Sequence, residues 1–201
     1  SQYCFRTLKT QVSDYVNFTD RIPYTVSYEL TGPERSLYLK LEEYLALPKK
    51  AAYPKMDRYD LNLMYYHIVS SSPQALCRTL DGVNKRMFDR MIPYENGEKE
   101  LLDELRELAG RIEVSGKMRM LLSVLKKSFA RLGELKADKK AVIVTDNLVT
   151  QRRLRDLLEA QGYKGVLTYS GSNSRDYDIM ERFRGDKNAQ ILIATDEAAK
   201  G

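Results

Sequence analysis

The stretch "QILIATDEAAKG", residues 190–201, opens with a continuous apolar run, Ile191 to Ala194, and passes at once to Thr195, Asp196 and small residues. Such a run is too short for a helix and suits a strand buried on both faces, the habit of parallel sheets. Thr195 and Asp196 then fall at the carboxyl end of that strand, the edge of an α/β sheet above which ligands bind. Two runs of the same kind precede it, "AVIVT" (141–145) and "VLTY" (166–169). Between the first two, Asn147 can cap a helix whose Leu154, Leu157 and Leu158 point to the sheet, and Gly162 can end it. Before the last, Ser174 can cap a helix with Asp176 and Asp178 near its positive end and with Ile179 and Phe183 four apart on its buried face. The order β-α-β-α-β predicts an α/β fold with a parallel sheet.

Upstream the texture is helical. Thr31 and Glu34 have capping-box spacing, and Leu37, Leu41, Tyr44 and Leu45 follow on one stripe. Residues 47–60 hold two prolines and read as a loop. Further helices carry Leu61, Met64, Tyr65 and Ile68, then start at Ser72-Pro73, then carry Leu101, Leu102, Leu105 and Leu108 up to Gly110. A fifth, from Lys117, places Met118, Leu121, Leu122, Leu125, Phe129 and Leu132 inward. Before them "PYTVSYEL" (23–30) alternates, with Tyr24, Val26, Tyr28 and Leu30 on one face, and predicts a half-buried strand. The expected division is an extended linker or strand from a preceding lobe over 1–30, a helical region over 31–132 and the α/β part over 133–201.

In 201 residues, 33 Lys+Arg against 28 Asp+Glu give a net charge of +5, a balance that suits a partner carrying phosphates without identifying one. Cys4 and Cys77 stand far apart in no metal-ligand spacing, so neither a disulfide framework nor a zinc site is indicated and a reducing compartment is expected. No apolar run approaches membrane-spanning length, so a soluble, cytoplasmic protein with no membrane partner is expected. "GRIEVSGKM" (110–118) only approaches a phosphate-binding loop: it puts five residues between its glycines, ends in a thioether that magnesium disfavours, and follows a helix instead of a strand. The sole histidine, His67, is far in sequence from Ser170 and Ser172, and no nucleophile elbow occurs, so His67 reads as structural or surface. No catalytic residue and no metal ligand is assigned. Arg152, Arg153 and Arg155 read as the solvated side of the helix whose leucines face the sheet, or else as contacts to a phosphate backbone. Tyr65-Tyr66 and Tyr53/Tyr59 read as packing groups before stacking groups.

Taken in order, several segments resemble the second RecA-like lobe of superfamily-two helicases, especially Swi/Snf-related translocases. "KAVIVTDN" (140–147) looks like motif IV, and "TYSGSNSRDYDIMERFRGD" (168–186) like the segment that follows it. "ILIATDEAAKG" (191–201) looks like motif V, with its Thr-Asp pair at Thr195 and Asp196 and its terminal Gly201. "VSGKMRMLLSVLKK" (114–127) resembles the Ser-x-Lys helix that leads into this lobe. "FRTLKTQV" (5–12) and "RIPYTVSYELTGPERSLYLKL" (21–41) resemble the exit from the first lobe, and "SSSPQALCRTL" (70–80) a helix start met in bacterial members. Glu197 stands where the translocases carry a small residue, and Lys200 replaces their acid.

The resemblance implies a partial RecA-like sheet preceded by a mostly helical segment, in a fragment of an ATP-dependent DNA or RNA helicase or translocase that ends inside motif V. It implies nucleic acid as partner, DNA before RNA, together with a first RecA-like lobe of the same chain. ATP and magnesium would bind in the full-length protein through first-lobe ligands, with none held by the fragment, which would be inactive alone. Thr145, Asn147, Ser170, Gly171 and Thr195, at strand ends, would contact the nucleic-acid backbone. Asp196 and Gly201 would organise the motif V loop and couple it to ATP, the alternative for Asp196 being a turn-forming residue after a strand. The other reading left open is a non-catalytic α/β binding or regulatory module with a helical insert.

Overall fold

The computed structural model describes residues 22–170 and 176–196. Their elements run α1 (Gly32–Ala46), α2 (Arg58–Ser71), α3 (Pro73–Asp89), α4 (Glu98–Gly110), α5 (Gly116–Glu134), β1 (Ala141–Thr145), α6 (Leu148–Ala160), β2 (Val166–Tyr169), α7 (Asp176–Gly185) and β3 (Ile191–Thr195). The chain is therefore α/β, with a three-stranded sheet of order β1-β3-β2 behind a run of helices. Both pairings are parallel. The three strands expected in the α/β part, and their expected parallel sense, are the observed ones.

Helices α1, α2, α3, α5 and α6 begin where a side chain takes up orphan N–H groups, whereas α4 starts at Gly97 without a side-chain cap. Thr31 and Glu34 form the full capping box of α1, Ser72 caps α3 with Pro73 following, and Asn147 caps α6 through its side-chain oxygen. Past α6, Gly162 takes φ +84°, the left-handed turn that ends a helix at little cost only for glycine. The Ser174 cap expected for α7 lies outside the described residues.

Two cores form. One gathers Leu37, Leu41 and Tyr44 of α1, Leu61 and Tyr65 of α2, Leu76 and Leu80 of α3, and Leu102 and Leu105 of α4. Burying each such side chain contributes about 1.5–3 kcal/mol. Tyr65 meets Tyr44 and Tyr53 edge-on, with ring centroids 5.4 and 5.9 Å away. Burial, helped by the nearby Glu98 charge, pushes the Tyr44 phenol well up, and burial also holds Tyr65 well above the ordinary tyrosine value. Glu98, itself buried, accepts from the backbone N–H of Ala51 at 2.7 Å and Ala52 at 3.2 Å and from the Tyr44 hydroxyl at 3.3 Å, so it fixes the loop between α1 and α2. The other core joins Met118, Leu125 and Phe129 of α5 to Leu154 and Leu158 of α6 and Ile191 and Ile193 of β3. Although α5 falls in the helical stretch of the sequence, its apolar stripe thus faces the sheet.

The strand expected over residues 23–30 does not form: residues 22–30 carry no strand, and Tyr24 is 88% exposed. The alternation is present, but a strand needs a partner edge, and the segment runs beside α5 and β1 without pairing. What it supplies is a backstop. The Glu29 carbonyl lies 2.5 Å from where a Cβ on Gly116 would sit, so only glycine fits at the start of α5. The Glu34 carboxylate accepts from Gly116 N–H at 3.1 Å and ties the first helix to the fifth.

Candidate functional site

Because all three strands run the same way, their carboxyl ends share one edge. The register sets Thr145 beside Thr195 and Tyr169 beside Ala194, so Thr145, Thr195 and Ser170 form a row. The Thr195 hydroxyl donates to the Ser170 carbonyl at 3.2 Å. Asn147 lies two residues beyond β1, its side-chain oxygen accepting from Val149 N–H at 2.8 Å and Thr150 N–H at 3.4 Å. Asp196 follows β3 and is exposed at the same edge. The structure therefore brings Thr145, Asn147, Ser170, Thr195 and Asp196 to one rim. Gly171 and Gly201 lie outside the described residues.

A side chain that the sequence reading passed over braces this rim. Gln151, in the first turn of α6, is buried, and its amide donates to the Tyr169 carbonyl at 2.9 Å and the Ile193 carbonyl at 2.8 Å. One residue thereby ties β2 to β3 just below their ends. The signal was available: Gln151 precedes Leu154 and Leu158 by three and seven positions, which puts it on the leucine stripe, and an amide buried there needs partners.

A polar seam joins the helices to the rim. The Ser71 hydroxyl lies 3.2 Å from Asp146 Oδ1 and 2.8 Å from Thr150 Oγ1, and Ser72 Oγ lies 2.8 Å from the same Thr150 oxygen. A carboxylate only accepts and each hydroxyl has one proton, so the donors run in one direction: Ser72 to Thr150, Thr150 to Ser71, Ser71 to Asp146. His67 Nδ1 meets the other carboxylate oxygen, Oδ2, at 2.9 Å. Lys117 Nζ donates to the Ser70 carbonyl at 3.1 Å. Between these groups and the rim opens a cleft of about 390 Å³ lined by His67, Ser70, Ser71, Lys117, Val144, Thr145, Asp146 and Asp196.

Three expectations are refined. His67 is a surface histidine, but its carboxylate partner belongs to the rim loop after β1. Of the arginines on α6, Arg152 is exposed, whereas Arg153 and Arg155 are half-buried. Arg153 donates to the Glu113 carbonyl at 2.8 Å and Arg155 to Asp156 at 2.9 Å, so neither is simply a solvated charge. Tyr65 is core, while Tyr59 is exposed.

The near-miss phosphate loop is also resolved. The N-terminus of α5 already holds an anion, the Glu34 carboxylate on Gly116 N–H, and Ser115 Oγ accepts from Met118 N–H at 3.2 Å. A triphosphate does not fit there. Among the described residues no three or more His, Cys, Asp or Glu side chains gather as a metal site, and no helix is long and apolar enough to cross a membrane.

No family model matches the sequence, and no curated protein matches it. Among solved structures the chain is similar to the C-terminal part of the Fun30 ATPase domain, at 15% identity and a TM-score of 0.47, over 84% of this chain and 66% of that one. It thus spans just under two thirds of that neighbour's length.

Proposed function

We propose that this chain is part of the second RecA-like lobe of an ATP-dependent nucleic-acid translocase or helicase, and that its strand-end rim holds the phosphodiester backbone. The observation that carries the reading is the convergence of Thr145, Asn147, Ser170 and Thr195 on one edge of a parallel sheet. The Thr145 and Ser170 hydroxyls, the Asn147 amide and strand-end N–H groups can bind phosphate oxygens without reading sequence, which is what a motor that moves along any sequence requires, while Thr195, buried with its hydroxyl donated to the Ser170 carbonyl, shapes the rim. Asp196, repulsive to phosphate, acts within the motif V loop.

The phosphate-loop and magnesium ligands belong to a first lobe, and Glu34 fills the α5 N-terminus that came nearest to them. No step of ATP hydrolysis is assigned to the described residues. DNA is the preferred partner, and the first lobe completes the motor.

Fluorescence anisotropy with labelled duplex and single-stranded DNA and RNA tests this, alongside a phosphate-release assay. The expected result is no ATP hydrolysis and weak binding whose log affinity falls with log salt by about 0.9 per phosphate neutralised on duplex, or about 0.7 on single strands. Substantial ATPase activity in the pure chain, or absence of binding at low salt, overturns the reading.

A further inference from the structure

The rim residues all come from the α/β part, yet the cleft above them is walled on its far side by the helical region. We infer that this wall belongs to the binding site: Lys117 of α5 contacts the phosphodiester backbone together with Thr145, and His67 of α2 holds the intervening Asp146 carboxylate turned onto protein groups. The inference rests on the reading that the rim takes nucleic acid.

Three observations carry it. Lys117 of α5 and Thr145 of β1 line the same cleft, and its volume, about 390 Å³, accommodates a phosphodiester group with its sugar. The Lys117 side chain is exposed and rests on a neutral acceptor, the Ser70 carbonyl at 3.1 Å, so its charge is not spent in a carboxylate pair there. Asp146 would repel a phosphate, but each of its oxygens is engaged from the helical side, Oδ1 by the Ser71 hydroxyl and Oδ2 by His67 Nδ1. A carboxylate held in this way presents less charge to the cleft. Asp196 also lines the cleft and would repel a phosphate set directly against it, so the contact falls on the Lys117 side.

The test uses the full chain with labelled duplex DNA over a salt series. Lys117→Gln is expected to lower affinity about five- to tenfold at 0.1 M salt and to flatten the log–log slope by about 0.9, the signature of one lost phosphate contact. Lys117→Arg, which keeps the charge, is expected to retain slope and affinity. His67→Ala is expected to weaken binding in the parent chain and to have no effect once Asp146→Asn has removed the charge. Circular dichroism identifies any variant that fails to fold, and the arginine variant then reports on the charge alone. If Thr145→Val weakens binding while Lys117→Gln matches the parent in affinity and slope, the inference is overturned and the reading of the rim stands. Failure of the parent chain to bind overturns both.

Discussion

Replacing Gln151 with methionine preserves the length and shape of the side chain and removes its two donors. The Tyr169 and Ile193 carbonyls, at 2.9 and 2.8 Å, then lose their side-chain partner, the first in a part-buried and the second in a buried position. Each lost bond costs about 1–1.5 kcal/mol, or about 2–3 kcal/mol together. The more apolar methionine returns about 1 kcal/mol through burial, so we expect a net loss of about 1–2 kcal/mol. For a chain of this size each kcal/mol moves the melting point by about 2–4 °C, so the expected fall is about 2–8 °C. Urea titration followed by far-ultraviolet circular dichroism measures the loss directly as a shift of midpoint at constant slope. The control is Arg152→Met, one position along and exposed, where a change within about 0.5 kcal/mol is expected. If Gln151→Met is as mild as the control, the two bonds do not brace the rim and the account of β2 and β3 is wrong. Amide exchange adds a local reading: opening at Ser170 and Thr195 is expected to quicken more than opening in α1 or α4.

Gly116→Ala forces a Cβ toward the Glu29 carbonyl, 2.5 Å from its ideal position, and breaks the seat of Glu34; a loss of about 1–3 kcal/mol in chemical denaturation is expected, the range for overpacking. Thr150→Val and Ser72→Ala, combined in a double-mutant cycle, are expected to show a coupling of at least about 0.5 kcal/mol, because the two hydroxyls share one bond. In alkali, Tyr44 and Tyr65 are held well above the ordinary tyrosine value and Tyr38 is pushed up to about 12, each chiefly by burial. The folded chain then binds more protons than the unfolded one above about pH 10, so this stability is whole below that point and lost as pH rises through the folded values. Tyrosine absorbance and helicity are expected to change together above pH 10, and phenols that ionise well before the helices melt would contradict this.

The sheet was legible because a strand buried on both faces writes itself as an unbroken apolar run, as in "AVIVT" and "ILIA". The caps at Thr31, Ser72 and Asn147 were legible too, since a helix start is decided within four residues. Residues 23–30 misled because alternation shows that a segment has two faces, not that an edge awaits it. Thr145, Asn147, Ser170 and Thr195 could be placed on one rim from the parallel sense of the strands alone. Their neighbours could not. His67 and Asp146, or Ser71 and Thr150, meet across most of the helical stretch, and a contact between distant segments has no local signature. Gln151 was a different case, hidden among arginines although its helical phase was that of the leucines.

The Glu34 bond to Gly116 joins positions 82 residues apart, so the chain enters and leaves its first four helices at nearly one point. A segment with adjoining ends is a closed excursion from the chain. Its outer loops can be lengthened at little entropic cost, about 0.6 kcal/mol for each doubling of loop length, whereas Ser71, Ser72 and His67 tie its inner side to Asp146 and Thr150. The single carboxylate at the neck thus closes the excursion, and the hydroxyls at its far side seat it.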